Sequence, residues 1–200
     1  MVDGMLYMST SLDQEILDLI AELELKTVLV ETKVSGGKHP SVTIDNKKAA
    51  YDATKYLLDK GNKKVAFIGL KKDKNNAVSK RYSGYEKALK DHGIEVDPNL
   101  VYFGELKAAD GYNGINVILE NSEIDAVFCA ADDIAMGAIN AAKQLGLKVP
   151  EDVSVIGFDN IELSTMSRPT ITTIEQPCFQ LGYQSCELLI EKIKNPQCED

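Results

Sequence analysis

Tryptophan is absent from this 200-residue sequence, histidine occurs twice, and aromatic residues make up only 6%. Basic residues are the scarcer charge, with 22 Lys and Arg against 31 Asp and Glu for a formal charge of -9. A surface of that sign repels phosphate backbones and anionic lipid, which argues against a chain that grips nucleic acid or a membrane by itself. Aromatics interleaved with bases, the mark of a single-strand binder, are missing as well. No apolar run approaches the ~20 residues of a bilayer span, and the N-terminus lacks the basic-then-apolar order of a signal peptide. The cysteines (Cys129, Cys178, Cys186 and Cys198) form no CxxC pair, and neither His39 nor His92 stands at ligand spacing to them. They read as reduced thiols in a cytoplasmic protein, with Cys129 buried in a strand and no zinc or redox site. GxSxG, a Walker loop, a GxGxxG after a strand and HExxH are all missing, so no enzymatic motif and no cofactor are indicated.

What is present is an ordinary globular mix, 44% apolar and 26% charged. A chain of this length buries roughly 70% of its unfolded surface without staples. Short apolar runs alternate with segments of helical period, the pattern of a parallel sheet covered by helices. Strands are expected at Met5–Met8, Val28–Val30, Val42–Ile44, Val65–Ile68, Val101–Phe103, Asp125–Ala130, Val153–Phe158 and Ile171–Ile174. The first helix carries Leu12, Ile16, Leu19, Ile20 and Leu23 on one face. A second is capped by Asp45 or Asn46 and stopped by Gly61, a third ends at Gly93 and another at Gly146. Pro177 suits the first turn of a last helix bearing Leu181, Cys186, Leu189 and Ile193. Gly36, Gly37 and Pro40 break the chain early, and Lys71–Asn76 is a polar loop. Four βα units thus run from about residue 42 to 158, enough for a complete doubly wound lobe. The first 41 residues hold too little to bury a sheet on both sides, and are expected to borrow the last helix.

Ligands of open α/β sheets sit beyond the carboxyl ends of the strands. The polar residues there are Ser9 and Thr10, Glu31, Glu105 beside Leu106, Asp132 and Asp133, and Asp159 and Asn160, with Arg81 opening a helix onto the same edge. Carboxylates and a guanidinium around a cleft suit bidentate bonds to the vicinal hydroxyls of a sugar. Asp45 and Asp133 have a plainer reading as helix caps. Asp159 does not, since it ends an apolar strand with no regular helix immediately behind it to cap. His92 beside Gly93 reads as a surface residue complementing a helix dipole, and Tyr82 and Tyr85 as core rather than interface.

The stretch DAVFCAADDIAMGAINAAKQLGLKVPEDVSVIGFDNIELSTMSRPTITTIEQP, from Asp125 to Pro177, resembles the effector-binding core of the lac-repressor/galactose-repressor (LacI/GalR) family of bacterial transcription regulators. VDGMLYMS, PSVTIDNKKAAYDATKYLLDKGNKKVAFIG and RYSGYEKALKDHGI follow the same family in the same order. The wording SVTID and LSTMSRP is similar to its catabolite control branch. The resemblance implies an α/β fold of two Rossmann-like lobes of the periplasmic-binding-protein type, with the N-terminal lobe incomplete. Residues 1–43 and 177–200 would form part of that lobe, residues 44–176 the C-terminal lobe, with crossings near Thr43–Asn46 and Ile174–Gln176. The family's DNA-binding headpiece would precede this sequence, so operator DNA would be met only through that segment. The partners implied are a small effector (a sugar or sugar phosphate) and a second copy in a homodimer, with no membrane.

The resemblance also implies effector-binding roles for Arg81 in RYSGY, Asp132 in ADD, Asp159 in GFDN and Glu31. Leu106 falls where many members stack an aromatic ring on the sugar, a departure from the usual pyranose platform. The catabolite control branch docks a serine-phosphorylated carrier protein on cations of the helix after Gln-Pro. Here Glu187 and Glu191 stand at those positions and oppose a phosphoserine. A transport binding protein of the same fold is the alternative from another class.

Overall fold

A computed structural model describes residues 2–9, 14–34, 39–70 and 77–195. Thr10, Leu12, Gly36, Gly37, the Lys71–Asn76 loop and Cys198, all singled out above, lie outside the described residues. Two compact units emerge. Among the described residues, one holds those up to Ile44, Ala77 and those from Pro177 onward; the other holds residues 45–70 and 78–176.

The smaller unit has a parallel sheet of order β1-β2-β3, from β1 (Met5–Met8), β2 (Thr27–Val30) and β3 (Ser41–Val42). Every residue of β2 is buried, as a central parallel strand requires. The last helix, α7 (Cys178–Lys194), packs against all three strands, so this unit does borrow it. Lys26 Nζ donates to the Ile193 carbonyl at 3.2 Å. Of the stripe expected on α1 (Gln14–Glu22) only Ile20 is buried; Leu19 and Leu23, the latter just past the helix, are exposed.

The larger unit is built on five parallel strands in the order β5-β4-β6-β7-β8. They are β4 (Val65–Leu70), β5 (Val101–Gly104), β6 (Ala126–Cys129), β7 (Ser154–Asp159) and β8 (Thr172–Glu175). Between them run α2 (Asn46–Asp59), α3 (Ala77–Asp91), α4 (Ala108–Asn121), α5 (Asp132–Gln144) and a one-turn α6 (Glu162–Met166), with a short 3-10 turn at Pro98–Leu100. One expectation is corrected here. The run at Val42 pairs with β2 in the small sheet, so the large sheet's parallel units begin at β4 rather than at residue 42.

The core follows from composition. β4 and β6 are almost continuously apolar because helices cover both faces of the sheet. Phe67 is the hub, with ring centroids of Tyr82, Tyr85 and Phe128 at 5.2, 5.3 and 5.6 Å. Tyr85 is fully buried and donates from Oη to the Val65 carbonyl at 2.8 Å, so it belongs to the core. Cys129 is buried in β6, where burial pushes its thiol well above the usual range. Asp45 caps α2 by accepting from the Lys48 amide at 2.9 Å. α2, α3 and α5 each end within two residues of Gly61, Gly93 and Gly146. No helix among the described residues is long and apolar enough to cross a membrane.

α4 and α5 touch along their length through paired glycines. A Cβ on Gly137 would strike the Ala108 carbonyl, and one on Gly111 the Ile134 carbonyl, both backbone atoms that cannot swing away. Gly137→Ala should therefore destabilise by about 2 kcal/mol, since overpacking (~1–3 kcal/mol) outweighs the ~1 kcal/mol that alanine adds to helix propensity. A thermal melt should read this as a Tm lower by about 4–8 °C; an unchanged or raised Tm would refute the close-approach account.

Candidate functional site

The strand order places β4 at the point where the chain turns from one side of the sheet to the other, with β5 on one flank and β6 on the other. Side chains there diverge and leave a crevice at the carboxyl ends. Arg81, from the second turn of α3, reaches into that edge and is only 4% exposed. A buried guanidinium needs its donors met and its charge opposed. Nε donates to Asn46 Oδ1 at 2.9 Å, and Nη1 donates to the Ala130 carbonyl at 2.6 Å and to Asp159 Oδ1 at 3.3 Å. Its Cζ lies 3.6 Å from the centroid of the Phe158 ring, which holds the plane of the group by a cation–π contact.

Asp159 closes β7 with its side chain 28% exposed. Oδ1 also accepts from Gln176 Nε2 at 2.6 Å, while none of these bonds falls on Oδ2. Burial raises its carboxyl above the usual range, and Arg81 and Gln176 pull it back only in part. Desolvation outweighs the ion pair because the 3.3 Å contact is long for a charge-assisted bond. A helix does follow, contrary to expectation, but α6 is a single turn whose N-cap is Ile161. Asp159 is therefore still not spent as a cap.

Asp132 has a different environment. It is completely buried: Oδ1 accepts from Thr173 Oγ1 at 2.6 Å and Oδ2 from the Ile161 amide at 2.9 Å. It ties the start of α5 to the loop after β7 and to β8, and burial again raises its carboxyl. Gly157 of GFDN is what lets it approach, since a Cβ there would collide with Asp132 Oδ1. Asp133 lies in the first turn of α5, but the N-cap is Ala131, so the capping reading is corrected.

Leu106 lies half-buried in the turn between β5 and α4, where Asp110 Oδ2 accepts from the amides of Glu105 and Lys107 at 2.8 and 2.7 Å. Glu31 belongs to the smaller unit. It follows β2, is 8% exposed, and accepts from the Ile44 amide through Oε1 at 2.9 Å. His92 follows α3, with Nδ1 2.8 Å from the Ala88 carbonyl.

The larger unit thus brings Arg81, Asp159 and Asp132 to one edge. A feature that sequence reading missed is backbone strain. Glu31, Leu106, Asp159 and Asn160 have φ of +56°, +64°, +107° and +54°, each at or just beyond a strand's carboxyl end. Non-glycine residues hold that region only where surrounding contacts over-determine it, and such positions cluster at ligand clamps. Asn46, Phe158, Thr173 and Gln176 were missed too. They are uncharged, so a search for carboxylates and guanidinium passes over them; Gln176 just before Pro177 was the one visible signal. No cluster of His, Cys, Asp or Glu among the described residues could hold a metal ion.

Fold and edge together define an α/β protein of parallel sheets with a candidate ligand site at the carboxyl ends of its larger sheet. A family model for the periplasmic binding protein-like domain matches residues 54–199. The HTH-type transcriptional regulator RegA of Clostridium acetobutylicum is 54% identical over 203 residues, an alignment covering 99% of this chain and 61% of that protein. RegA of Clostridium saccharobutylicum is 49% identical over 201 residues, covering 100% and 60%. Among solved structures, the transcription regulator CcpA of Lactococcus lactis superposes with a TM-score of 0.90 at 35% identity, covering 100% of this chain and 73% of that one. A CelR–cellobiose complex gives a TM-score of 0.93 at 29% identity, covering 99% and 61%. The chain belongs to the periplasmic-binding-protein-like domain family, in the form carried by LacI-family transcriptional regulators. It spans about 60% of the length of those two curated relatives.

The raised Asp132 carboxyl makes a signed prediction. The folded chain holds this proton more tightly than the unfolded chain does, so the residue's stabilising contribution shrinks as pH rises from its ordinary value, about 4, through the raised one. Asp132→Ala should cost roughly 1–3 kcal/mol, because the Ile161 amide and the Thr173 hydroxyl then lose their acceptor. In urea unfolding, the wild-type margin over this variant should be larger near pH 4 than near pH 7. A margin that grows with pH would contradict the burial account.

Proposed function

We propose that this chain is the effector-binding and dimerising core of a sugar-responsive transcriptional repressor of the LacI family. The observation that carries this is the Arg81–Asp159 pair at the sheet's switch point, with Oδ1 engaged by protein donors and Oδ2 left for a ligand hydroxyl. Arg81 and Asp159 take the ligand. Asp132 shapes the loop that presents Asp159, and Glu31 and Leu106 stand at the carboxyl ends of their own strands. Leu106 offers an aliphatic surface where an aromatic platform would favour a flat pyranose face, so the effector makes its affinity through hydroxyls or a phosphate. The site needs no cofactor and performs no turnover. The role is cytoplasmic; a homodimer matches a two-fold operator, and operator DNA is read by a headpiece of the kind that "HTH-type" names in the relatives.

A phosphoprotein corepressor fits less well. The outer face of α7 exposes Phe179 and Tyr183, ring centroids 6.3 Å apart, together with Ile190. The charges beside them are the exposed Glu187 and Glu191, which repel a phosphoserine. A transport binding protein shares the fold, but the regulator names of the relatives favour the repressor reading.

Calorimetric titration of the full-length protein with a panel of monosaccharides, disaccharides and sugar phosphates tests the proposal. Asp159→Ala should weaken the ligand that binds at least about tenfold, the share of one hydrogen bond to a charged group. Equal affinity in wild type and variant would overturn the site assignment.

A further inference from the structure

The turn that carries Leu106 is built in a way that capping α4 does not require. Leu106 is half-buried between Glu105 and Lys107, which are both exposed, so it is the one of the three that the protein covers in part. Its φ of +64° is disfavoured for a leucine and persists only where contacts hold it. One atom supplies them: Asp110 Oδ2 accepts from the amide before Leu106 and from the amide after it, at 2.8 and 2.7 Å. An ordinary capping box needs the second bond alone, since Lys107 is the N-cap and Asp110 stands three residues on. The Glu105 amide lies outside the helix, and its capture closes the turn around Leu106. Gly104 makes room for this, because a Cβ there would come within 2.3 Å of Asp110 Cγ and Oδ1. The Glu105–Lys107 ion pair at 2.6 Å also spans Leu106, but both side chains are largely exposed and water screens it.

Asp110 is anchored in its turn. Ala108 and Gly111, on either side of it, lie where the backbones of α4 and α5 approach too closely for a Cβ, against Gly137 and Ile134. The Leu106 turn is thus fixed to the helix that begins at Asp132.

We infer that Asp110 is a positioning residue of the effector site, fixing Leu106 as a rigid apolar wall of the crevice that β5 and β6 flank. This rests on the function proposed above. A leucine on a loose turn would yield to ligands of different outline. One locked in the left-handed region accepts a C–H face that fits it, and a ligand group that displaces it must break the bonds to Asp110. Asp110 and Gly104 therefore set selectivity without needing to touch the ligand. Because both bonds fall on one oxygen, the charge is dispensable, and the amide oxygen of an asparagine should serve as well.

The test compares full-length wild type with Asp110→Asn, Asp110→Ala, Gly104→Ala, Leu106→Ala and the Asp110→Ala/Leu106→Ala double variant. Asp110→Ala should speed amide hydrogen exchange at residues 105–107 by about tenfold, the share of one hydrogen bond, while residues 114–121 of α4 stay protected. Methyl relaxation should show Leu106 rigid in wild type and mobile in Asp110→Ala. Gly104→Ala should free it too, by expelling the carboxylate, whereas Asp110→Asn should match wild type. Calorimetric titration with cellobiose, glucose and glucose 6-phosphate then reads the consequence. For a probe that binds, Asp110→Ala should lose about tenfold in affinity, the share of a partly covered leucine side chain. In the Leu106→Ala background the same substitution should change affinity by less than about twofold. An aspartate that merely supports α4 would weaken binding equally in both backgrounds, and that result overturns the inference. Unchanged exchange at residues 105–107 in Asp110→Ala, or a mobile Leu106 in Asp110→Asn, overturns it as well. A Leu106 freed in Asp110→Ala with no uptake of any probe supports the positioning role and counts against the sugar reading. Uptake indifferent to Asp110 overturns the role and leaves the sugar reading standing.

Discussion

A guanidinium that keeps only 4% of its surface stays charged, so its neighbourhood must be built around it, and much of the larger unit meets that demand. The reversal of strand order at β4 opens the space, β6 ends so that the Ala130 carbonyl faces inward, and the first turn of α2 supplies Asn46. Phe158, the last residue but one of β7, lies under the flat face of the group, and the next residue supplies the opposing carboxylate. Arg81 is therefore a constraint on three separate segments, the start of α2 and the ends of β6 and β7. Removing any one of these contacts leaves a buried cation less satisfied, which is far costlier than losing a surface pair.

Two aspartates at this edge show how environment divides one residue type into two roles. Asp132 has both oxygens occupied by protein donors and no exposure, so its carboxylate fixes the loop after β7. Asp159 has one oxygen occupied and part of its side chain open. Both carboxyls are raised by burial, and each is a like charge near the other. The arrangement is stable only because Thr173, Gln176, Arg81 and the Ile161 amide share the load.

Much of this was legible in the sequence where hydrophobicity alone decides. The runs at 65–70 and 126–129 are apolar throughout because both faces of a parallel strand are covered, and they appear where expected. Asp45 was readable as a cap because a short carboxylate before a helical period has few other uses. Val42 was harder. Two residues of extended chain do not say which sheet they join, and the pairing with β2 is a tertiary fact. α6 escaped because a single turn has no period to detect. Arg81, Asp132 and Asp159 stand out by charge, whereas Asn46 and Gln176 acquire meaning only once the fold carries them to Arg81 and Asp159. Left-handed backbone at Leu106 and Asp159 is invisible in a sequence, since neither residue is the glycine that ordinarily signals it.

The strained residues also explain why such an edge is kept although it weakens the fold. Asp159 is disfavoured twice, by its φ and by the desolvation of its carboxylate. Arg81 and Gln176 offset the second cost in part through Oδ1, whereas Oδ2 receives none of these bonds. Under the function proposed here, a ligand hydroxyl placed against Oδ2 returns part of the lost solvation, and it does so only if Gln176 and Arg81 still hold the carboxylate in place. Affinity and the cost of holding this edge are then two expressions of one free energy. The tightly packed β4–β6 core and the glycine-paired helices α4 and α5 supply the stability that lets such an edge persist.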